Sequence, residues 1–171
     1  MQRRTVLSTQ RLTLTTWVEE DLDELALLHS DPKTMRYVRR GRPESREETR
    51  DLLALYLREQ VDPGWTKWRI TDQLGRLVGR AGFGGHPGDR ELGYTIRRDM
   101  WGQGIASEIA PALVRWHREH NSTLPRMRLL AYVTLENLPS RRVLEMAGLV
   151  FTGYGEHNRM NCAIYELPSE L

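Results

Sequence analysis

Two glycines separated by one residue, Gly102 and Gly104, sit where a strand-like run gives way to a helix-like one. The segment reads Trp101-Gly102-Gln103-Gly104-Ile105-Ala106-Ser107-Glu108. A turn of this kind leaves the first amides of the helix without partners, at the end where the helix dipole is positive. Phosphate or pyrophosphate binding is the chemistry those donors suit. Glycine has no Cβ, so an anion can approach the backbone closely. The loop is not of the Walker type, because no Lys-Ser or Lys-Thr pair follows a glycine. It also falls short of G-x-G-x-x-G, since Ser107 stands at the third glycine's place and the motif lies late in the chain. Taken alone, the pair marks a turn and a helix start.

The elements that would hold this turn can be read from periodicity and caps. Arg11-Leu12-Thr13-Leu14-Thr15-Thr16 alternates and is rich in threonine, which predicts a first strand. Leu22, Leu25, Ala26 and Leu28 fall at helical spacing within 20–29, and Asp31-Pro32 ends that helix. Ser45 and Glu48 form a capping box ahead of a second helix that runs to about Gln60. Residues 65–71 and 76–83 read as a hairpin joined at Asp72-Gln73-Leu74-Gly75, and 84–89 as a loop. Then come a strand over 91–97, a helix over 104–120, a strand over 127–134, a helix over 138–147 and two strands near 149–154 and 161–167. The strand–helix–strand pattern around the glycine turn predicts a parallel crossover. A ligand is then expected outside the carboxyl ends of the two parallel strands.

With 171 residues and no linker, repeat or low-complexity run, the chain is expected to be a single domain over 1–171. No apolar run approaches the roughly 20 residues of a membrane span. The start, MQRRTVLSTQR, lacks a signal-type apolar stretch, so a cytoplasmic location is expected. A net charge of +2 with no basic block argues against nucleic acid as a partner. One cysteine, Cys162, rules out an internal disulfide and any multi-cysteine zinc site, and its apolar surroundings read as a buried, inert thiol. His117 and His120 match neither H-E-x-x-H nor H-x-x-E-H, so they read as helix-surface or end-cap residues and no metal is expected. Trp65 and Trp68 have opposite strand parity, which is expected to place one in the core and the other at the edge of a cleft.

A second motif follows the second parallel strand: Asn137-Leu138-Pro139-Ser140-Arg141-Arg142-Val143-Leu144-Glu145-Met146-Ala147-Gly148-Leu149. Asn137 suits a helix cap, Pro139 its first turn and Gly148 its end. Together with the glycine turn, with Thr9-Gln10-Arg11-Leu12-Thr13-Leu14, Leu77-Val78-Gly79, Gly82 and Glu91-Leu92-Gly93-Tyr94, this motif resembles the GNAT superfamily of N-acetyltransferases. Within it the chain is similar to the Rim-type branch, the ribosomal-protein N-terminal acetyltransferases. The resemblance covers nearly the whole chain. Ile109 departs from an alanine common in that branch, and Trp101 stands where the wider superfamily often has Arg or Gln.

The resemblance implies an α/β (α+β) GNAT fold. Its central mixed, mostly antiparallel twisted sheet has about seven strands, with the parallel fourth and fifth splayed apart, and about four helices flank it. It implies acetyl-CoA as cosubstrate, with pyrophosphate on the amides of Gly102, Gln103, Gly104, Ile105 and Ala106, beside Trp101 and the Ser107 hydroxyl. Pantetheine would run beside Ile96 and Arg97 and touch Asn137. Arg98, Arg141 and Arg142 would reach the nucleotide phosphates. The partner is then an amine acceptor, either a small molecule or a protein N-terminus, and the chain a monomer or homodimer. The alternative is a coenzyme-A-binding sensor or interaction module with weak catalysis.

Acetyl transfer to an amine needs a neutral nucleophile, a stabilised oxyanion and a proton for the leaving thiolate. Deprotonating an α-amine of pKa near ~8 costs roughly 1 kcal/mol at pH 7, whereas a lysine near ~10.4 costs roughly 4–5 kcal/mol. An N-terminus or small amine therefore asks less of a base. Some GNAT enzymes carry a catalytic glutamate at the place of Glu91, which makes it the first base; Glu156, next to His157, is the second. The tyrosine that many family members place seven residues after the Asn is Leu144 here. Rim-type relatives use a serine at the position of Ser140, whose hydroxyl can donate to the coenzyme sulfur.

Overall fold

Ser45 and Glu48 start a helix as their spacing predicts. The Ser45 hydroxyl accepts from the Glu48 amide at 3.1 Å, and the Glu48 carboxylate accepts from the Ser45 amide at 2.8 Å. That helix is α3 (Arg46–Glu59) in a computed structural model that describes residues 2–85, 88–122 and 126–169. Before it come β1 (Thr5–Ser8), β2 (Thr13–Thr15), α1 (Leu22–Ser30) and α2 (Pro32–Met35). After it follow β3 (Lys67–Thr71), β4 (Leu77–Gly84), β5 (Asp89–Ile96), α4 (Ile105–Glu119), β6 (Arg128–Thr134), α5 (Leu138–Met146), β7 (Val150–His157) and β8 (Met160–Glu166). The part of the expected 84–89 loop at His86 and Pro87 lies outside the described residues.

The sheet order is β1-β2-β3-β4-β5-β6-β8-β7, eight strands with one parallel pair, β5 and β6. This matches the mixed, mostly antiparallel sheet that the resemblance implies, with one more strand and one more helix than expected. The extra strand, β1, is only four residues long and half-exposed, so it shows no alternation to read. The extra helix, α2, begins at Pro32. Asp31 ends α1 and also caps α2, its carboxylate accepting from the Lys33 amide at 3.1 Å. Among the described residues no helix is long and apolar enough to cross a membrane.

The chain divides into two compact units. The first runs to Gly82 and adds Tyr94–Gln103. Trp17, Leu25, Leu28, Leu52, Leu53 and Tyr56 pack there as one apolar cluster, with the Trp17 and Tyr56 rings stacked at 6.0 Å. Gln60 gives Trp17 the two backbone bonds a strand would supply, at 2.9 and 3.0 Å. Gly79 is required by contact, since a Cβ there would stand 2.1 Å from the Thr95 carbonyl oxygen.

This unit also buries a polar chain. The Arg80 Nε donates to His29 Nε2 at 3.0 Å, so His29 carries its proton on Nδ1 and donates it to Glu44 at 3.0 Å. Arg39 donates to the second Glu44 oxygen. Burial, aided by the Arg80 charge, lowers the His29 pKa to about 4. Burial pushes the Glu44 carboxyl up, but the bonds from His29 and Arg39 outweigh it and hold the pKa at about 2.

The second unit comprises Phe83–Gly93 and Gly104–Leu171. The parallel register runs through Asp89↔Arg128, Arg90↔Leu129 and Glu91↔Leu130. β6 pairs antiparallel with β8, and β8 with β7. Ile105, Ile109, Leu113 and Trp116 form the buried stripe of α4. Arg90 is buried between the Phe83 and Trp116 rings, at 5.8 and 5.3 Å from their centres.

The His29 environment fixes an acid response. An ordinary imidazole titrates near 6.5, but the folded His29 takes its proton only near pH 4. The unfolded chain therefore binds the proton first. The stabilisation is complete above pH 6.5 and is lost as pH falls from 6.5 to 4. Urea unfolding at pH 7.5 and at pH 5 should show a loss of about 2 kcal/mol from this group. His29→Gln should be less stable at pH 7.5 yet lose about 2 kcal/mol less on acidification. An equal loss in the variant would assign the acid sensitivity elsewhere.

Candidate active site

The glycine turn has the backbone that only glycine adopts easily. Gly102 and Gly104 stand at φ 74 and 75. A Cβ on Gly102 would meet no atom within 4 Å, so its conformation, not crowding, demands glycine there. Gly104 is the N-cap of α4 and gives it no side-chain hydrogen bond. The first amides of a 15-residue helix are thus left without a side-chain cap. Trp101 is half exposed and pinned through its indole N–H to the Ile96 carbonyl at 2.9 Å. Arg11 holds the Gln103 carbonyl at 2.9 Å. Ile105 is buried, while Gln103 and Ser107 face solvent.

The arginines divide. Arg97 is occupied: its guanidinium grips Asp99 at 2.7 Å and the Leu77 carbonyl at 3.0 Å. Arg98 is exposed beside it. Both line a cavity of about 540 Å³ with Leu27, Leu28, Leu77 and Asp99. Arg141 is tied to the Tyr165 hydroxyl at 3.1 Å, and that hydroxyl donates to Glu145 at 2.9 Å. Arg142 is exposed and makes no hydrogen bond or ion pair among the described residues.

Asn137 caps α5, its side-chain oxygen accepting from the Ser140 amide at 3.4 Å. The Ser140 hydroxyl is half exposed and has no hydrogen-bond partner among the described residues. Leu144, one turn on, is 1% exposed.

Glu91 holds the last position of the parallel register. Its carboxylate stands 3.3 Å from His157 Nε2, with the two side chains 19% and 21% exposed. The His157 ring lies flat on Tyr132, centres 4.2 Å apart and planes 7° apart. Glu156, adjacent to His157 on β7, is exposed and by strand alternation belongs to the opposite face. The structure thus brings Glu91 and His157 together and leaves Glu156 apart from them. The sequence offered no signal for the Glu91 partner, because the two residues meet only through the β6-β8-β7 pairing.

One expectation changes. His117 is not a surface residue: it is 4% exposed and accepts from Arg90 at 3.2 Å, because position 117 follows Leu113 by one helical turn on the buried stripe. Burial, with the Arg90 charge second, lowers its pKa to about 4. His120 does act at the helix end, stacked on Trp116 at 3.9 Å. Leu144, standing where many family members have a tyrosine, is a core side chain. Trp68 is the core tryptophan, at 1% exposure, and Trp65 is half-buried. Cys162 is buried, and burial pushes its thiol pKa up, in keeping with an inert cysteine. Among the described residues no group of three or more His, Cys, Asp or Glu could hold a metal ion.

A mixed sheet with one parallel pair, and a glycine turn opening the crossover helix, define an acetyltransferase-type fold. Residues 11–150 match the acetyltransferase (GNAT) domain, and the chain belongs to that family of acyltransferases. It is 29% identical over 142 residues to the uncharacterized N-acetyltransferase p20 of Bacillus licheniformis, covering 81% of this chain and 78% of that one. A solved acetyltransferase from Agrobacterium tumefaciens superposes with a TM-score of 0.80 at 24% identity, covering 97% and 95% of the two chains. RimL, a ribosomal L7/L12 α-N-protein acetyltransferase solved in complex with coenzyme A, superposes at 0.78 with 17% identity, covering 95% and 97%. These two likenesses show the fold.

The burial of Leu144 sets a stability test. Leu144→Tyr should cost about 1–3 kcal/mol by overpacking. Denaturant unfolding that finds the variant as stable as wild type would mean position 144 opens onto space.

Proposed function

We propose that this chain is an acetyl-CoA-dependent N-acetyltransferase acting on a primary amine by direct transfer in a ternary complex. The acceptor is the α-amine of a protein N-terminus or a small-molecule amine. The observation that carries the reading is the start of α4, where Gly104 leaves the first amides uncapped behind two left-handed glycines. Amides from Gly102 to Ala106, with the Ser107 hydroxyl, would hold the pyrophosphate. Ile96 and Asn137 would contact the pantetheine arm. Arg98 and Arg142, exposed, are the cations available to nucleotide phosphates; Arg97 is committed to Asp99. The acetyl thioester supplies the acyl group.

The chain's own groups then handle protons. The Glu91–His157 pair takes the proton from the amine as nitrogen bonds to the acyl carbon. The Ser140 hydroxyl donates toward the departing sulfur and is replenished from solvent. An α-amine, cheaper to deprotonate than a lysine, asks less of the base. The likeness to RimL, named for action on an α-amine, supports the same acceptor class.

Thiol release from acetyl-CoA, followed with peptide N-termini and small amines, tests the reading. Coenzyme binding without release from any amine would mark a sensor instead. Gly104→Val should weaken acetyl-CoA binding at least about tenfold by calorimetry, with circular dichroism confirming the fold. Unchanged affinity would remove the pyrophosphate assignment. Ser140→Ala should cut turnover by roughly 10²-fold with little change in acceptor KM. Wild-type turnover, with chemistry rate-limiting, would leave Ser140 as a residue of the first helical turn only.

A further inference from the structure

We propose that the proton acceptor is His157, through Nδ1, and that Glu91 is a positioning residue acting through it. The proposal rests on the acetyl-transfer reading above. Its basis is a set of side chains on one face of the second unit's strands. Glu91 pairs with Leu130, and Tyr132 and Thr134 alternate onto the same face of β6. Thr134 pairs with Cys162, Cys162 with Gly155, and His157 lies two residues beyond Gly155. The face therefore carries Glu91, Tyr132, Cys162 and His157 from four adjacent strands.

The two imidazole nitrogens differ. Nε2 stands at ion-pair distance from the Glu91 carboxylate, 3.3 Å, and the proposal places the neutral ring's hydrogen on that nitrogen. Tyr132 lies flat against the ring and fixes its plane. Nδ1 makes no hydrogen bond with any described residue and is left as a free lone pair. At 21% exposure the side chain remains reachable. A carboxylate behind an imidazole sets the tautomer and stabilises the imidazolium once it forms. An imidazole is also better matched to proton transfer near neutral pH than a carboxylate.

The step balances. The amine nitrogen bonds to the acyl carbon and its N–H proton moves to Nδ1. The C–S bond breaks, and its electron pair leaves on sulfur, which gains a proton from solvent by way of Ser140. The imidazolium, bonded through Nε2–H to Glu91, then returns its extra proton to solvent. Titratable groups facing the ring are Glu91 from β5, Tyr132 from β6 and Cys162 from β8. On its own hairpin Glu156 alternates to the other face, and Arg159 stands at the turn.

The test combines two variants with a measurement on the unaltered enzyme. Nitrogen-15 shifts of His157 in the free protein should show the neutral ring protonated on Nε2. A neutral ring protonated on Nδ1 would overturn the proposal. His157→Gln should lower kcat about 10²-fold or more, abolish the acidic limb of the pH–rate profile, and leave acetyl-CoA affinity within about twofold. Glu91→Gln should keep that limb, move it to lower pH and lower kcat about tenfold. If Glu91→Gln removes the limb and His157→Gln keeps it, Glu91 is itself the base and the proposal fails. If His157→Gln turns over like wild type while still binding acetyl-CoA, the proposal fails and the acetyl-transfer reading stands. No acetyl-CoA binding by wild type would overturn both.

Discussion

Parallel pairing of β5 with β6 is the constraint from which the site follows. Two parallel neighbours cannot be joined by a hairpin, so the chain must travel back by a crossover. Here that return is α4, and its start is the glycine turn. The crossover thus creates a helix amino end close in sequence to the end of β5. The register is short, three pairs ending at Glu91↔Leu130. Glu91 takes the last paired position, and β6 gives its other edge to β8, which in turn holds β7 and His157. A carboxylate and an imidazole from distant parts of the sequence meet because one strand pair is parallel and the next two are antiparallel.

The environment sorts the histidines by task. His29 and His117 are buried and each accepts from an arginine, so each is held neutral with a pKa of about 4. An arginine cannot give up its proton at these pH values, so its charge excludes a second one on the ring beside it. Arg90 has aromatic faces on two sides and reaches the His120 carbonyl at 3.3 Å, at the helix end where the dipole is negative. These two histidines are structural acceptors. His157 has the opposite setting: partial exposure, a carboxylate on one nitrogen and an aromatic face. Of the three, it alone combines partial exposure with a neighbouring carboxylate.

Local chemistry was legible in the sequence wherever it was local in space. The capping box at Ser45 and Glu48, the Asn137 cap and the glycine start of α4 all appear where spacing placed them. The parallel crossover was legible as well, because a strand, a helix and a strand in succession leave few alternatives. β1 was missed because four half-exposed residues carry no periodic signal. The burial of His117 was within reach, since Leu113 and His117 are one turn apart on the apolar stripe, but a histidine is not counted when apolar residues are summed. The pairs Glu91–His157 and His29–Arg80 were out of reach. They depend on strand order, and no local pattern encodes which edge β8 takes.

The absence of a tyrosine near the end of α5 follows from how that helix packs. Asn137 fixes its start, and Leu144 falls on the face turned into the core. A bulky phenol there would have to displace packed side chains, which costs more than a hydrogen bond to a sulfur returns. Ser140 belongs to the first turn, where side chains meet less of the helix's own packing and where its hydroxyl has no competing partner among the described residues. A thiolate is a stable leaving group compared with an alkoxide or amide, so in the proposed reaction a hydroxyl backed by solvent is enough to meet it. The harder proton is the one on the amine, and in the proposed reaction it meets two groups arranged in series on the sheet, His157 and Glu91.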